Sequence, residues 1–318
     1  MKNIAILGAA GRLGQVAALQ FHKAGYQVTA ISRSGYVEGL PFSIRQMKAD
    51  ALDETALARA TEGADFIFNS LNPVYTDWKD KALPMARNVM QAAKTHGATH
   101  LFPGNIYVYG KDMPEILKET TPFSSSTGKG DIRIRMETLF KTRAENEGIK
   151  TRIIRAGDFF GGPGKGSWFD LVLCSKLSGS KFLYPGRADI PHAWAYLPDF
   201  ADAFVKLAGE EDRLSAYECF TFEGHTLTGK DILSLLETIL NRPLSMSGLP
   251  WPLLTIGGLI HPMWREVAEM KYLWFKPHQL DGTELERTIG ARLQTPAIEA
   301  FRTALKDLDL LLPEVKAA

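Results

Sequence analysis

Three glycines, Gly8, Gly11 and Gly14, fall in the segment KNIAILGAAGRLG at residues 2–14, where an apolar run breaks into a helical pattern. At a strand-to-helix turn this spacing lets the backbone approach a pyrophosphate closely. The free N–H groups and dipole of the helix start then stabilise the negative charge. Arg12 and Leu13 sit inside the turn as further candidate contacts, although Arg12 reads equally as an exposed first-turn residue. The second apolar run ends in Ile31-Ser32-Arg33-Ser34, with no acid before Glu38. An acid at that point hydrogen-bonds the adenosine ribose hydroxyls of NAD, whereas an arginine favours the 2′-phosphate of NADP. Arg33 offers charge-assisted bonds to a phosphate and Ser32 and Ser34 add hydroxyls. NADP is therefore expected ahead of NAD, the alternative being a solvated surface arginine. Asp50 either accepts from the adenine amino group or caps the next helix. Asn69, Ser70 and Leu71 close a fourth strand, whose carboxyl end faces the cofactor in such folds, and are candidates for backbone contact with the nicotinamide ribose.

Positioning these residues needs strands that alternate with helices, and the pattern supplies them. Strands are expected at 2–7, 26–31, 43–48, 64–69, 98–103 and 151–155, and helices at 12–25, 54–61, 79–96 and 129–148. The 79–96 segment carries Leu83, Ala86, Val89, Met90 and Ala93 at helical spacing, and Gly97 stops it. Strands separated by helices imply parallel pairing with right-handed crossovers, hence an α/β, Rossmann-type doubly wound sheet. After about residue 160 the alternation loosens: a glycine-rich loop at 161–166, short strands at 181–184 and 218–222, and helices at 198–209, 229–240 and 296–305. The expected organisation is a dinucleotide-binding core over 1–160 and a smaller substrate cap over 161–318, with segments near 190–225 returning to the core.

Composition narrows the function classes. At 45% hydrophobic and 23% charged residues the chain reads as an ordinary globular protein. Its 37 basic residues against 36 acidic ones give no charge-driven affinity for nucleic acid or membranes. Cys174 and Cys219 are too few for a disulfide framework or a cysteine-rich metal site, and read as small buried hydrophobes. No signal-peptide pattern precedes the first strand, and the apolar stretch 251–260 is too short to span a bilayer, so a cytoplasmic location is expected.

Taken together, the chain resembles the extended short-chain dehydrogenase/reductases, the NAD-dependent epimerase/dehydratase-like group. The resemblance runs almost end to end and rests on GAAGRLG, Val108-Tyr109-Gly110, Glu137, IIRAGDFFGGPG at 153–164 and Tyr196-Leu197-Pro198-Asp199. It implies a catalytic set of a serine or threonine four residues before the tyrosine of VYG, then a tyrosine and a lysine four apart on a helix. Those positions here hold Asn105, Lys129 and Arg133, and no tyrosine occurs between Tyr109 and Tyr184. Asn105 can still orient a substrate oxygen, and Arg133 can bond ribose hydroxyls. Desolvation and the adjacent Arg133 favour a neutral Lys129, able to act as general acid or base or to form an imine. The same stretch, GKGDIRIRME, reads equally as a helix start with surface basic residues. Tyr107 and Tyr109 can supply a displaced phenol, although the resemblance gives Tyr109 a packing role near the cofactor.

Other chemistry is less promising. GGPGKGS at 161–167 lacks the glycine spacing of a triphosphate loop, and Lys165 reads as a mobile surface lysine. The histidines show no two-histidine metal spacing on one helix, so no metal is expected. His192 reads as cleft-lining or structural, Arg187 and Arg265 as anion contacts or surface residues. Trp251, Trp264, Trp274 and Phe275 read as cap core. Two functions remain open: an NADP-dependent oxidoreductase or epimerase/dehydratase-like enzyme on a nucleotide-sugar-like or other small carbonyl or alcohol substrate, or a catalytically silent NAD(P)-binding redox sensor. The resemblance also implies a homodimer through the helices at 79–96 and 129–148.

Overall fold

A computed structural model describes residues 1–311. The first half alternates as β1 (Asn3–Leu7), α1 (Arg12–Lys23), β2 (Gln27–Ser32), β3 (Arg45–Lys48), α2 (Glu54–Ala60), β4 (Phe66–Asn69), α3 (Trp78–His96), β5 (Thr99–Asn105), β6 (Ile116–Leu117), α4 (Gly128–Glu147) and β7 (Thr151–Ala156). Then come β8 (Asp158–Phe160), β9 (Lys181–Tyr184), β10 (His192–Tyr196), α5 (Leu197–Gly209), β11 (Tyr217–Thr221), β12 (His225–Leu227) and α6 (Gly229–Leu240). The last elements are β13 (Ser245–Gly248), α7 (Trp251–Gly257), α8 (Pro262–Glu269), β14 (Gln279–Leu280), α9 (Thr283–Ile289) and α10 (Ala297–Asp307).

Seven strands form a parallel sheet in the order β11-β7-β5-β4-β1-β2-β3. The order reverses between β1 and β4, and a crevice opens there beyond the carboxyl ends of the strands. Register places Leu7 beside Ile31 on one side and Asn69 on the other. The glycine turn, the end of β2 and the end of β4 are thus brought to one edge. Both sheet faces are covered, which is why β1 and β4 read as near-continuous apolar runs. Side chains of α1 and α5 pack with Ile4, Ile6, Phe66 and Phe68 on one face. Those of α2, α3 and α4 pack with Ala5, Leu7, Ile67 and Phe102 on the other.

The expected boundaries hold to within a few residues, with local exceptions. The third strand starts at Arg45 because the chain from Pro41 to Ile44 closes a turn, the Ile44 N–H donating to the Pro41 carbonyl at 3.0 Å. Helix α4 starts at Gly128, capped by Thr127 through the Gly130 N–H at 3.0 Å. Short strands β6, β8, β10 and β12–β14, unmarked in the sequence pattern, build three small sheets against an aromatic cluster around Trp194 and Trp274. Trp251 is buried and its indole N–H donates to the Pro185 carbonyl. Trp264 and Phe275 are instead 43% and 41% exposed, correcting their assignment to the core.

Candidate functional site

Gly8 sits at φ +74°, a left-handed conformation that favours glycine. A Cβ on Gly14 would lie 2.8 Å from both the Gly8 carbonyl carbon and the Ser70 hydroxyl, so only glycine lets α1 start this close to β1 and β4. Gly11 caps α1 without a side-chain acceptor, and no acid occupies the first turn. The N–H groups at that helix start therefore keep their capacity for an anion, and the cradle fits a pyrophosphate. Arg12 is not the exposed residue expected. Its guanidinium donates to the Gly161 carbonyl at 2.6 Å and pairs with Asp170 at 2.9 Å, and desolvation lowers its pKa. Asp170 in turn accepts from Gly166 and Ser167, which fixes the loop 161–170 against the glycine turn.

At the end of β2 the exposed Arg33 makes no ion pair or side-chain hydrogen bond among the described residues. Ser32 and Ser34 hydroxyls lie 3.1 Å apart, and Ser32 accepts from the Gly35 N–H, so the two serines organise the turn that carries Arg33. Asp50 does not cap α2: Asp53 does, accepting from the Ala56 N–H at 2.9 Å. Asp50 accepts instead from the Leu52 N–H at 2.9 Å, and it is exposed.

The end of β4 turns its polar side chains inward. Ser70 donates to the Leu7 carbonyl at 2.6 Å. The Asn69 amide lies 3.2 Å from His100 Nε2, and burial drives the His100 pKa down to about 3. A neutral His100 then accepts from Asn69. What the segment 69–71 leaves towards the crevice is backbone together with Leu71.

The three positions of the implied catalytic set have different surroundings. Asn105 Oδ1 accepts from the Tyr107 N–H at 3.1 Å and caps the short turn Ile106–Tyr109, while its Nδ2 has no partner among the described residues. Lys129 is only 2% exposed, so its reading as a surface residue is corrected. Its reading as a free amine under a cationic neighbour is corrected too. Two carboxylates from α8 enclose the ammonium, Glu266 at 2.5 Å and Glu269, and the Tyr75 ring centroid lies 4.9 Å away. Arg133 is 7% exposed, with its guanidinium 4.6 Å from the Trp78 ring and 5.3 Å from the Phe102 ring. Desolvation lowers its pKa.

Neighbouring groups complete the site. The Tyr75 and Tyr107 hydroxyls are 3.1 Å apart, and burial raises both phenols. Tyr109 is fully buried, donating to the Lys118 carbonyl and accepting from Arg155, a packing position. His192 pairs with Asp158 at 2.8 Å. Lys165 is exposed, Arg187 pairs with Asp189, and Arg265 lies at the surface 3.5 Å from Glu266. Sequence reasoning missed Tyr75, Trp78, Glu266 and Glu269. The i, i+3 spacing of the two glutamates was visible, but their lysine partner lies 137 and 140 residues away. No group of three or more His, Cys, Asp or Glu among the described residues has the arrangement of a metal site. No helix among them is long and apolar enough to cross a membrane.

The architecture has many solved counterparts. UDP-glucose 4-epimerase from Thermotoga maritima, determined with UDP-glucose, superposes with a TM-score of 0.76 at 16% identity, covering 96% of this chain and 98% of that one. The Brucella ovis enzyme in complex with NAD gives 0.74 at 12% identity, covering 96% and 97%. The Bifidobacterium longum enzyme with NAD+ and UDP gives 0.70 at 15%, covering 97% and 98%. At these identities the likeness speaks for the fold alone. No curated protein sequence matches significantly. The family model, by contrast, matches residues 4–220, which span the glycine turn, the β2 and β4 ends and all of α4. On that match the chain belongs to the NAD dependent epimerase/dehydratase family.

Proposed function

We propose that this chain binds NADP(H) and works as an oxidoreductase or epimerase on a small carbonyl or alcohol substrate, nucleotide-sugar-like or otherwise, without the usual tyrosine. The observation that carries the cofactor choice is Arg33: a free, exposed guanidinium at the end of β2, flanked by two hydroxyls and no carboxylate. A 2′-phosphate gives that guanidinium the charged, bidentate acceptor it lacks. In this reading Gly8, Gly11, Arg12, Leu13 and Gly14 take the pyrophosphate, Asp50 the adenine edge, and the 69–71 backbone the nicotinamide ribose. The bound nicotinamide supplies the hydride donor or acceptor. Asn105 Nδ2 donates to the substrate oxygen, and Lys129 serves as proton carrier once α8 moves and its carboxylates let go.

Titrating NADPH and NADH by fluorescence against the wild type and Arg33→Ala tests the cofactor assignment. A charge-assisted bond contributes about 1.5–3 kcal/mol, so NADPH affinity should fall about 10- to 150-fold in the variant while NADH is unaffected. Wild-type protein that binds NADH as tightly as NADPH would refute it. A second reading, an NADP-binding redox sensor without turnover, is favoured by one observation: the buried Lys129 is already saturated by Glu266 and Glu269. Single-turnover oxidation of bound NADPH by a panel of aldehydes and ketones separates the two. Turnover that Lys129→Met abolishes supports the enzyme, and tight binding with no oxidation supports the sensor.

A further inference from the structure

Arg133 presents an unpaid electrostatic cost. Its side chain is nine-tenths buried, its guanidinium makes no hydrogen bond or ion pair among the described residues, and Nε is a buried donor with no partner. The nearby carboxylates are already committed. Glu137 is held by Arg155 at 2.7 Å, Glu266 and Glu269 both pair with Lys129, and Glu266 also lies near Arg265. A desolvated cation without a counter-charge is unfavourable unless a ligand supplies one. Ribose hydroxyls satisfy donors but bring no charge, and an oxidised nicotinamide brings charge of the wrong sign.

Arg133 lines a narrow, solvent-open cleft at the carboxyl end of β4, walled by Leu71, Asn72, Pro73, Trp78, Met85 and Met136. Arg133 is the one charged residue among those lining it. The Trp78 and Phe102 rings lie against the guanidinium and hold it in the cleft. A planar, two-oxygen monoanion matches this arrangement in charge and in shape. A phosphate dianion would keep one charge uncompensated beside a single cation.

We propose that the Arg133 cleft binds the carboxylate of a small monocarboxylate, and that this carboxylate belongs to the substrate. The substrate role rests on the oxidoreductase reading above, whereas anion binding does not. The test is calorimetric titration of the full chain, with and without NADP+, using oxamate, its neutral amide analogue oxamide, and inorganic phosphate. Wild type, Arg133→Met and Arg133→Lys are compared. Oxamate should bind the wild type, at least tenfold more tightly than oxamide or phosphate. Binding should fall at least tenfold in Arg133→Met and by a smaller factor in Arg133→Lys, which keeps the charge but loses the fork. Arg133→Met without ligand should melt no lower than the wild type, because the substitution removes an uncompensated cation. If that variant does not fold, Arg133→Lys alone decides: unchanged oxamate affinity overturns the proposal. Absence of oxamate binding to the wild type, equal binding to Arg133→Met, or tighter binding of phosphate also overturns it. NADPH titration of the same samples keeps the readings apart. Oxamate binding through Arg133 without NADPH affinity removes the cofactor reading only, and the reverse removes this inference only.

Discussion

Lys129→Met is the perturbation that tests most directly how α8 is held over the site. The lysine is 2% exposed, while the side chains of Glu266 and Glu269 are 18% and 23% exposed. Removing one partner of a fully buried ion pair costs about 3–5 kcal/mol, because the remaining charge is left uncompensated. Here two carboxylates are left facing each other, but both touch solvent and α8 can swing outward to hydrate them. Screening and that relaxation reduce the expected loss to about 2 kcal/mol. For a chain of this size the melting temperature should fall by about 3 °C. Thermal unfolding by circular dichroism at pH 7.5 and low salt gives the shift, and hydrogen exchange across residues 250–276 shows whether α7 and α8 loosen first. Adding Glu266→Gln and Glu269→Gln to Lys129→Met removes both signs of charge together and should recover most of the loss. If Lys129→Met melts within about 1 °C of the wild type, the cluster does not fasten α8 and the reasoning fails.

Two further outcomes are expected. Gly14→Ala drives a Cβ into the Gly8 carbonyl and the Ser70 hydroxyl, so it should cost about 1–3 kcal/mol by urea denaturation and weaken NADPH binding in the same samples. Stability should fall in mild acid because burial depresses both His100 and His278 to about 3. Their unfolded value is about 6.5, so below it the unfolded chain binds the extra protons. Their contribution is therefore complete above about pH 6.5 and drains away as pH falls toward 3, at up to about 1.4 kcal/mol per unit for each histidine. Urea unfolding at pH 7.5 and 5 measures it, and equal midpoints would contradict the neutral, buried state of these rings.

Much of the sheet could be read from the chain because its signals are local. The apolar run into Gly8, the helix stop at Gly97 and the Ile31-Ser32-Arg33 ending each depend on residues within a few positions. The sequence reading put Lys129 and Arg133 one turn apart on one helix, which α4 bears out. Their partners were out of reach. Lys129 gains its carboxylates from α8, Arg12 finds Asp170 in a later loop, and Arg133 stacks on Trp78 at the start of α3. Each contact closes a long stretch of chain, and no periodicity records it. The helix-cap alternative for Asp50 failed for a more local reason: three residues on, Asp53 had the better capping geometry. The stretch 251–276 resisted assignment because its aromatic content says core, while half of that content lies at the surface.

The position of β11 bears on how the protein is made. Every residue of Thr151–Ala156 is buried, and its outer flank is covered by Tyr217–Thr221, which arrives only after the glycine-rich loop, β9, β10 and α5 have been laid down. Until Thr221 has left the ribosome, β7 presents an unpaired backbone edge able to pair with any passing strand. During synthesis the half-finished sheet is therefore the aggregation hazard, and chaperone demand should peak in that interval.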